Sequence, residues 1–313
     1  MPTVSIRMHG VSASRNSTLV DPCTGEIVQR QSKPSPPMRT ATRGWTSNVA
    51  RRNEQRLQQV DFEHVDGVTG FVTLTMPAQQ MAEVSAAMFH GWLKRWLQYM
   101  KRHGMRHYYW ILEFQGSGNP HLHVLVWLDH EPDALETYKA LRSWVRMLNK
   151  SGVGARQQGQ VWESIDVGGE VTVDGETVPA HPERVLMYLA KHAARGVAHY
   201  QRRIENMPDD WRHRSGRVWG HDRGLPLRDA ESVEVDYPTF WRYRRLVRSW
   251  RLAEARRVGD AGRRAEAVVA ARRMLRWGDP SEAPYRGVSA WVPADVSRRL
   301  LVAAQNGGET SEE

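Results

Sequence analysis

The chain has 313 residues, 40% of them apolar, enough for one large domain or two small ones with a full core. No apolar run approaches the roughly 18 residues of a membrane span, Met1 to Ser14 lacks a secretory apolar stretch, and a lone Cys23 excludes an intramolecular disulfide or cysteine zinc cage. A net charge of +9 favours a polyanionic partner over a small-molecule substrate, and a cytoplasmic protein is the simplest account.

Residues 1–45 are rich in Ser, Thr, Pro and Arg, with Lys33-Pro34-Ser35-Pro36-Pro37 as a breaker, and read as a flexible tail. Ser47 to about Val60 reads as a charged helix with sparse apolar positions at Val49, Leu57 and Val60. Phe71-Val72-Thr73-Leu74-Thr75-Met76 alternates apolar and threonine positions and predicts a strand stopped by Pro77. Met81 to Arg102 has helical spacing, with Met81, Val84, Met88, Trp92, Trp96 and Met100 on one face and Gly104 past its end. Tyr108 to Phe114 predicts a second strand, Gln115 to Pro120 a hairpin loop, and His121 to Leu128 a third strand.

Asp133 to Lys150 is again helical, with Leu135, Tyr138, Leu141, Val145 and Leu148 as its apolar positions. A short strand follows at Gln160 to Ile165, then a polar hairpin at Gly168 to Pro179 turning at Asp174-Gly175. Pro182 to Arg195 is a helix with proline in its first turn and Gly196 beyond it. Val218 to His221 and Val233 to Tyr237 are strand candidates, and Pro238 opens a long arginine-rich helix. The order implies an α+β fold, an antiparallel sheet with helices packed on one face.

Side chains alternate along a strand, so His121 and His123 share one face, and two neutral imidazoles so placed can hold a divalent cation. A bare pair reads equally as hydrogen-bonded histidines. Glu113 lies near the end of the preceding strand, within cross-strand reach as a third ligand or facing solvent. Two imidazoles and a carboxylate with open positions suit Mg²⁺ or Mn²⁺, with zinc as an alternative. Tyr188 shares a helix face with Lys191, His192 and Arg195, while Leu186, Leu189, Ala190 and Ala193 form the opposite stripe. Cationic neighbours favour a phenolate that could attack phosphorus. From Trp241 to Trp277 twelve arginines face three acids, interleaved with aromatic residues, which suits nucleic acid. Arg242, Arg244, Arg245 and Arg248 are its candidate DNA contacts, together with His192 and Arg195.

The Phe71 to Thr75 strand, His121-Leu122-His123, and Val185-Leu186-Met187-Tyr188-Leu189-Ala190-Lys191 resemble, in that order, the three motifs of the HUH endonucleases. The closest likeness is to rolling-circle replication initiators of plasmids and filamentous phages, and Gly216-Arg217-Val218-Trp219-Gly220 resembles a segment that follows the tyrosine helix there. That resemblance implies metal ligands at His121, His123 and Glu113, a nucleophile at Tyr188 and a helper at Lys191. It implies nicking of single-stranded or supercoiled origin DNA through a 5′-phosphotyrosine, with a free 3′ end for a host polymerase. His192 stands where some phage initiators carry a second tyrosine, so a one-tyrosine enzyme is expected. No Gly-x-x-x-x-Gly-Lys-Ser/Thr loop occurs, so strand separation would fall to a host helicase or supercoiling. The expected division is a tail (1–45), an endonuclease domain (46–240), a basic helical segment (241–277) and a C-terminal tail (278–313). A relaxase or single-strand transposase of the same chemistry, or a non-catalytic nucleic-acid-binding protein, are the competing readings.

Overall fold

The computed structural model describes residues 1–15, 19–20, 27–28, 44–77, 84–165, 170–173, 176–179, 199–274 and 287–307. Contacts divide the chain into two compact units, residues 38–226 and residues 1–37 with 227–313.

In the larger unit, α1 (Ser47–Leu57), β3 (Val68–Thr75), α2 (Ala86–Arg102), β4 (Met105–Phe114), β5 (Pro120–Leu128), α3 (Ala134–Asn149), β6 (Val161–Ile165), the β7–β8 hairpin (Glu170–Val173, Glu176–Pro179), α4 (Asp209–Arg214) and β9 (Trp219–His221) follow in order. The five-stranded antiparallel sheet runs β9-β4-β5-β3-β6. One face carries Val72, Leu74, Leu112, Phe114, Leu122, Val124 and Val126 into a core with Phe89, Trp92 and Trp96 of α2 and Trp144 and Leu148 of α3. The α+β architecture of the sequence reading is therefore the observed one.

The helix faces differ in detail from their expected phase. Met88, Leu135 and Tyr138 are exposed, and Phe89, Leu93, Ala140 and Trp144 are buried instead. Periodic apolar positions admit two neighbouring stripes, and the bulkier tryptophans choose between them. Helix α2 begins at Ala86 rather than Met81, because Ser85 stays extended and its hydroxyl accepts the Met88 N–H. Met81 itself lies outside the described residues.

The segment after α4 turns on two glycines. Gly216 has φ +68°, and a Cβ there would stand 2.4 Å from His90 Nε2. A Cβ on Gly220 would press into the Trp110 ring at 2.9 Å, so β9 can pair with β4 only without one. His90 donates through Nε2 to the Ser215 carbonyl at 2.9 Å, and burial holds its pKa below the ordinary 6.5 despite that bond. The unfolded chain then binds more protons below pH 6.5, so acid should erode stability from about that pH down through the folded-state pKa. Thermal melts of the protein and of His90→Phe between pH 7.5 and 5 check this; the substitution should flatten that part of the profile.

The smaller unit corrects the two expected tails. β1 (Pro2–Arg7) and β2 (Gly10–Arg15) pair with β10 (Glu231–Glu234) and β11 (Val288–Trp291) in a second antiparallel sheet, ordered β10-β1-β2-β11. Val4, Ile6, Val11, Ala13, Val288 and Ala290 alternate inward against Phe240, Tyr243 and Val247 of α5 (Tyr237–Arg256) and Leu301 and Ala304 of α7 (Ala294–Gln305). Each strand is short, with Ser or Thr at a quarter to a third of its positions, which resembles a polar tail until its partners are known. The basic segment is not one helix. It breaks at Val258-Gly259-Asp260, where Asp260 caps α6 (Ala261–Arg273) by accepting the Arg263 N–H at 2.7 Å.

Candidate metal and nucleic-acid site

The second face of the five-stranded sheet is the chemical one. Antiparallel register sets Thr75 and Glu113 on either side of His121, and Thr73 and Ile111 on either side of His123. Directly opposed residues point the same way, so this one face gathers the two imidazoles, the carboxylate and both hydroxyls. The histidine rings meet edge to face with centroids 4.5 Å apart, and Phe71 stacks on His123 at 5.6 Å. Thr75 Oγ1 lies 2.9 Å from His121 Nδ1, and Thr73 Oγ1 lies 3.4 Å from His123 Nδ1.

Glu113 is 0% exposed. Its Oε2 stands 3.9 Å from His123 Nε2, and its Oε1 accepts from Arg202 Nε at 3.0 Å. Arg202 is equally buried, its guanidinium 3.8 Å from the Trp45 ring centre, and Trp45 donates to the Leu112 carbonyl at 2.8 Å. A buried carboxylate needs a cation, and in this arrangement a guanidinium supplies it. The donor types fit a divalent cation: two imidazoles and one remaining carboxylate oxygen on a rigid sheet. They are not closed around one point. Among the described residues, the three-residue set whose ligand atoms all lie within 4.8 Å of one another is Asp61, Glu63 and His64, of which the last two are exposed.

Tyr109 also lies on this face. Its hydroxyl donates to Asn53 Oδ1 of α1 at 2.7 Å, and burial pushes the phenol well above its ordinary range. It is therefore a packing residue and a poor nucleophile. Tyr188, Lys191, His192 and Arg195 lie outside the described residues.

The arginine candidates separate. Arg242 donates through Nε to the Ala304 carbonyl at 2.7 Å, tying α5 to the end of α7. Arg244 is only 7% exposed, with its guanidinium 4.7 Å from the Trp241 ring centre. Arg245 is exposed and Arg248 half-buried. Helical spacing turns positions three or four residues apart inward together, Arg244 among them, which a charge count along the chain cannot resolve. Arg245→Ala should therefore lower the log–log salt slope of DNA binding by about 0.9, the share of one phosphate. Arg244→Ala should leave the slope unchanged and lower the melting temperature instead.

Thr73, Thr75, Trp45 and Arg202 were not singled out by sequence. The threonines share the two-residue spacing of the histidines, a signal that pairing the two strands would have exposed. Arg202 carries no local signal at all.

A model of the replication-associated protein ORF2/G2P family matches residues 69–193, which take in all but the first residue of β3, the histidine strand, Tyr188 and Lys191. The chain is 31% identical over 311 residues to a protein of Xylella fastidiosa (strain 9a5c) titled "Putative replication protein", covering 95% of this chain and 94% of that one. The chain belongs to the ORF2/G2P family of replication-associated proteins. A similarly titled protein of Xylella fastidiosa strain Temecula1 is 31% identical over 301 residues, covering 93% of this chain and 99% of the other. Replication-associated protein G2P of Pseudomonas phage Pf3 is 27% identical over 273 residues, covering 86% and 88% respectively. No solved structure matches. Among the described residues no helix is long and apolar enough to cross a membrane.

Proposed function

We propose that this replication protein is a one-tyrosine HUH nickase that starts rolling-circle replication by cutting one strand of origin DNA. The observation that supports it most is the His121–His123 pair on a core strand with Glu113 in register beside it, inside the span that the family model matches. His121, His123 and Glu113 Oε2 would hold the cation. A bound Mg²⁺ or Mn²⁺ would supply Lewis-acid polarisation of a phosphodiester oxygen, worth several kcal/mol in the transition state.

The remaining chemistry belongs to the chain. Tyr188 Oη attacks phosphorus, and the bond from phosphorus to the tyrosine oxygen forms as the bond to the 3′ oxygen breaks; the phenolic proton passes to solvent and the leaving 3′ oxygen takes one up from it. Lys191, three residues on in the chain, would favour the phenolate and offset charge on the transferring group. The DNA keeps a free 3′-hydroxyl for a host polymerase, and the 5′-phosphate stays on Tyr188. Because the new ester conserves the energy of the old one, the strand can be rejoined without ATP. A host helicase or supercoiling opens the duplex, in the cytoplasm where the DNA lies. The exposed arginines of α5 and α6 contact phosphates.

Incubating the protein with end-labelled single-stranded origin DNA and Mn²⁺, then running a denaturing gel, tests the reaction class. A label that stays with the protein through detergent, and disappears in Tyr188→Phe while DNA binding persists, is the expected result. Unchanged DNA activity in Tyr188→Phe, with no adduct in either protein, would favour a purely binding role.

A further inference from the structure

The strand before the histidines carries a second two-residue repeat, Thr73-Leu74-Thr75, and the β3–β5 register aligns it residue for residue with His121-Leu122-His123. Both hydroxyls stand against the same atom type, Nδ1, at 2.9 Å on His121 and 3.4 Å on His123. Gln115 Nε2, an amide nitrogen that only donates, lies 3.4 Å from the same His121 Nδ1 and would favour the opposite tautomer, but this contact is longer than the 2.9 Å of Thr75, which decides between them. A neutral imidazole carries one N–H, and the hydrogen bond made by one nitrogen decides which lone pair remains for a metal. A hydroxyl can accept that N–H through its own oxygen while donating elsewhere.

We propose that Thr73 and Thr75 are positioning residues that hold His123 and His121 in the Nδ1–H form, so that Nε2 of each is the coordinating atom. This deepens the metal-site reading and rests on it. The alternation that first marks β3 as a strand thus has a second purpose. Its outward positions are threonine because an apolar β-branched residue would fill the same space but could not orient the rings. Phe71, one step further along the same face, fixes the plane of the His123 ring by stacking on it.

Proton–nitrogen correlation spectra of the full chain, labelled with ¹⁵N-histidine, metal-free and at pH 8, read the tautomers directly. The expected result is Nδ1–H at His121 and His123 in the unaltered protein and a shift of His121 toward Nε2–H in Thr75→Val. Valine keeps the shape, so the melting temperature should hold. Free Mn²⁺, followed by its electron paramagnetic resonance signal, should show a 10- to 100-fold weaker affinity in Thr75→Val and near-normal affinity in Thr75→Ser. Thr73→Val should do the same through His123, more weakly, in line with its longer contact. Unchanged tautomers and unchanged Mn²⁺ affinity in both valine variants would overturn the proposal. If the unaltered protein shows the expected tautomers but binds no Mn²⁺, the metal reading falls and the hydroxyl–tautomer assignment stands.

Discussion

Arg202→Met should destabilise the larger unit by about 3–5 kcal/mol, the usual cost of stranding one partner of a buried ion pair. Glu113 is 0% and Arg202 1% exposed, so neither charge can recover water when the other is removed. The Arg202 guanidinium also loses its place over Trp45. Glu113→Gln keeps an amide oxygen to accept from Arg202 Nε and should cost less. The double variant, with both charges gone, should recover part of the loss, because well-packed neutral replacements of a buried pair are often close to neutral in stability. Urea unfolding followed by tryptophan fluorescence measures all three. A loss below 1 kcal/mol in Arg202→Met would mean that water reaches Glu113 and that the carboxylate does not depend on this guanidinium.

The second large effect is at the histidines. On the proposal that His121 and His123 hold a cation, losing one imidazole should forfeit the several kcal/mol that the cation would supply, on the order of 10²–10⁴ in rate. His121→Ala is the cleaner variant, because His123 is only 4% exposed and its truncation also opens a cavity beneath Phe71. His121→Ala should bind origin DNA and melt normally, yet form adduct at least about 100-fold more slowly. His64→Ala, at an exposed position of the Asp61–Glu63–His64 cluster, should cut at the normal rate. Equal loss in both variants would move the metal reading from the sheet to that cluster.

Much of the larger unit was legible because its signals are local. Alternating strands and a short hairpin place the C-terminal ends of β3, β4 and β5 within a residue of their observed bounds, while β3 and β4 each start three residues earlier than their patterns suggest, and register then sets Glu113 opposite His121. What escaped was non-local. Pro2–Arg7 pairs with its neighbour Gly10–Arg15, but the strands that complete the sheet lie beyond residue 230, and the short hairpin by itself carries little apolar signal. Arg202 meets Glu113 from 89 residues away. The inward arginines of α5 could be told from the outward ones only by what packs on them. These are contacts between elements, and local periodicity carries no information about them.

The account turns on one covalent bond. Digesting the protein after it has been trapped on origin DNA with Mn²⁺, and sequencing the nucleotide-bearing peptide by mass spectrometry, identifies the atom that attacked. The account predicts a 5′-phosphate ester on Tyr188, absent when His121 is replaced by alanine. A nucleotide on any other side chain would contradict it.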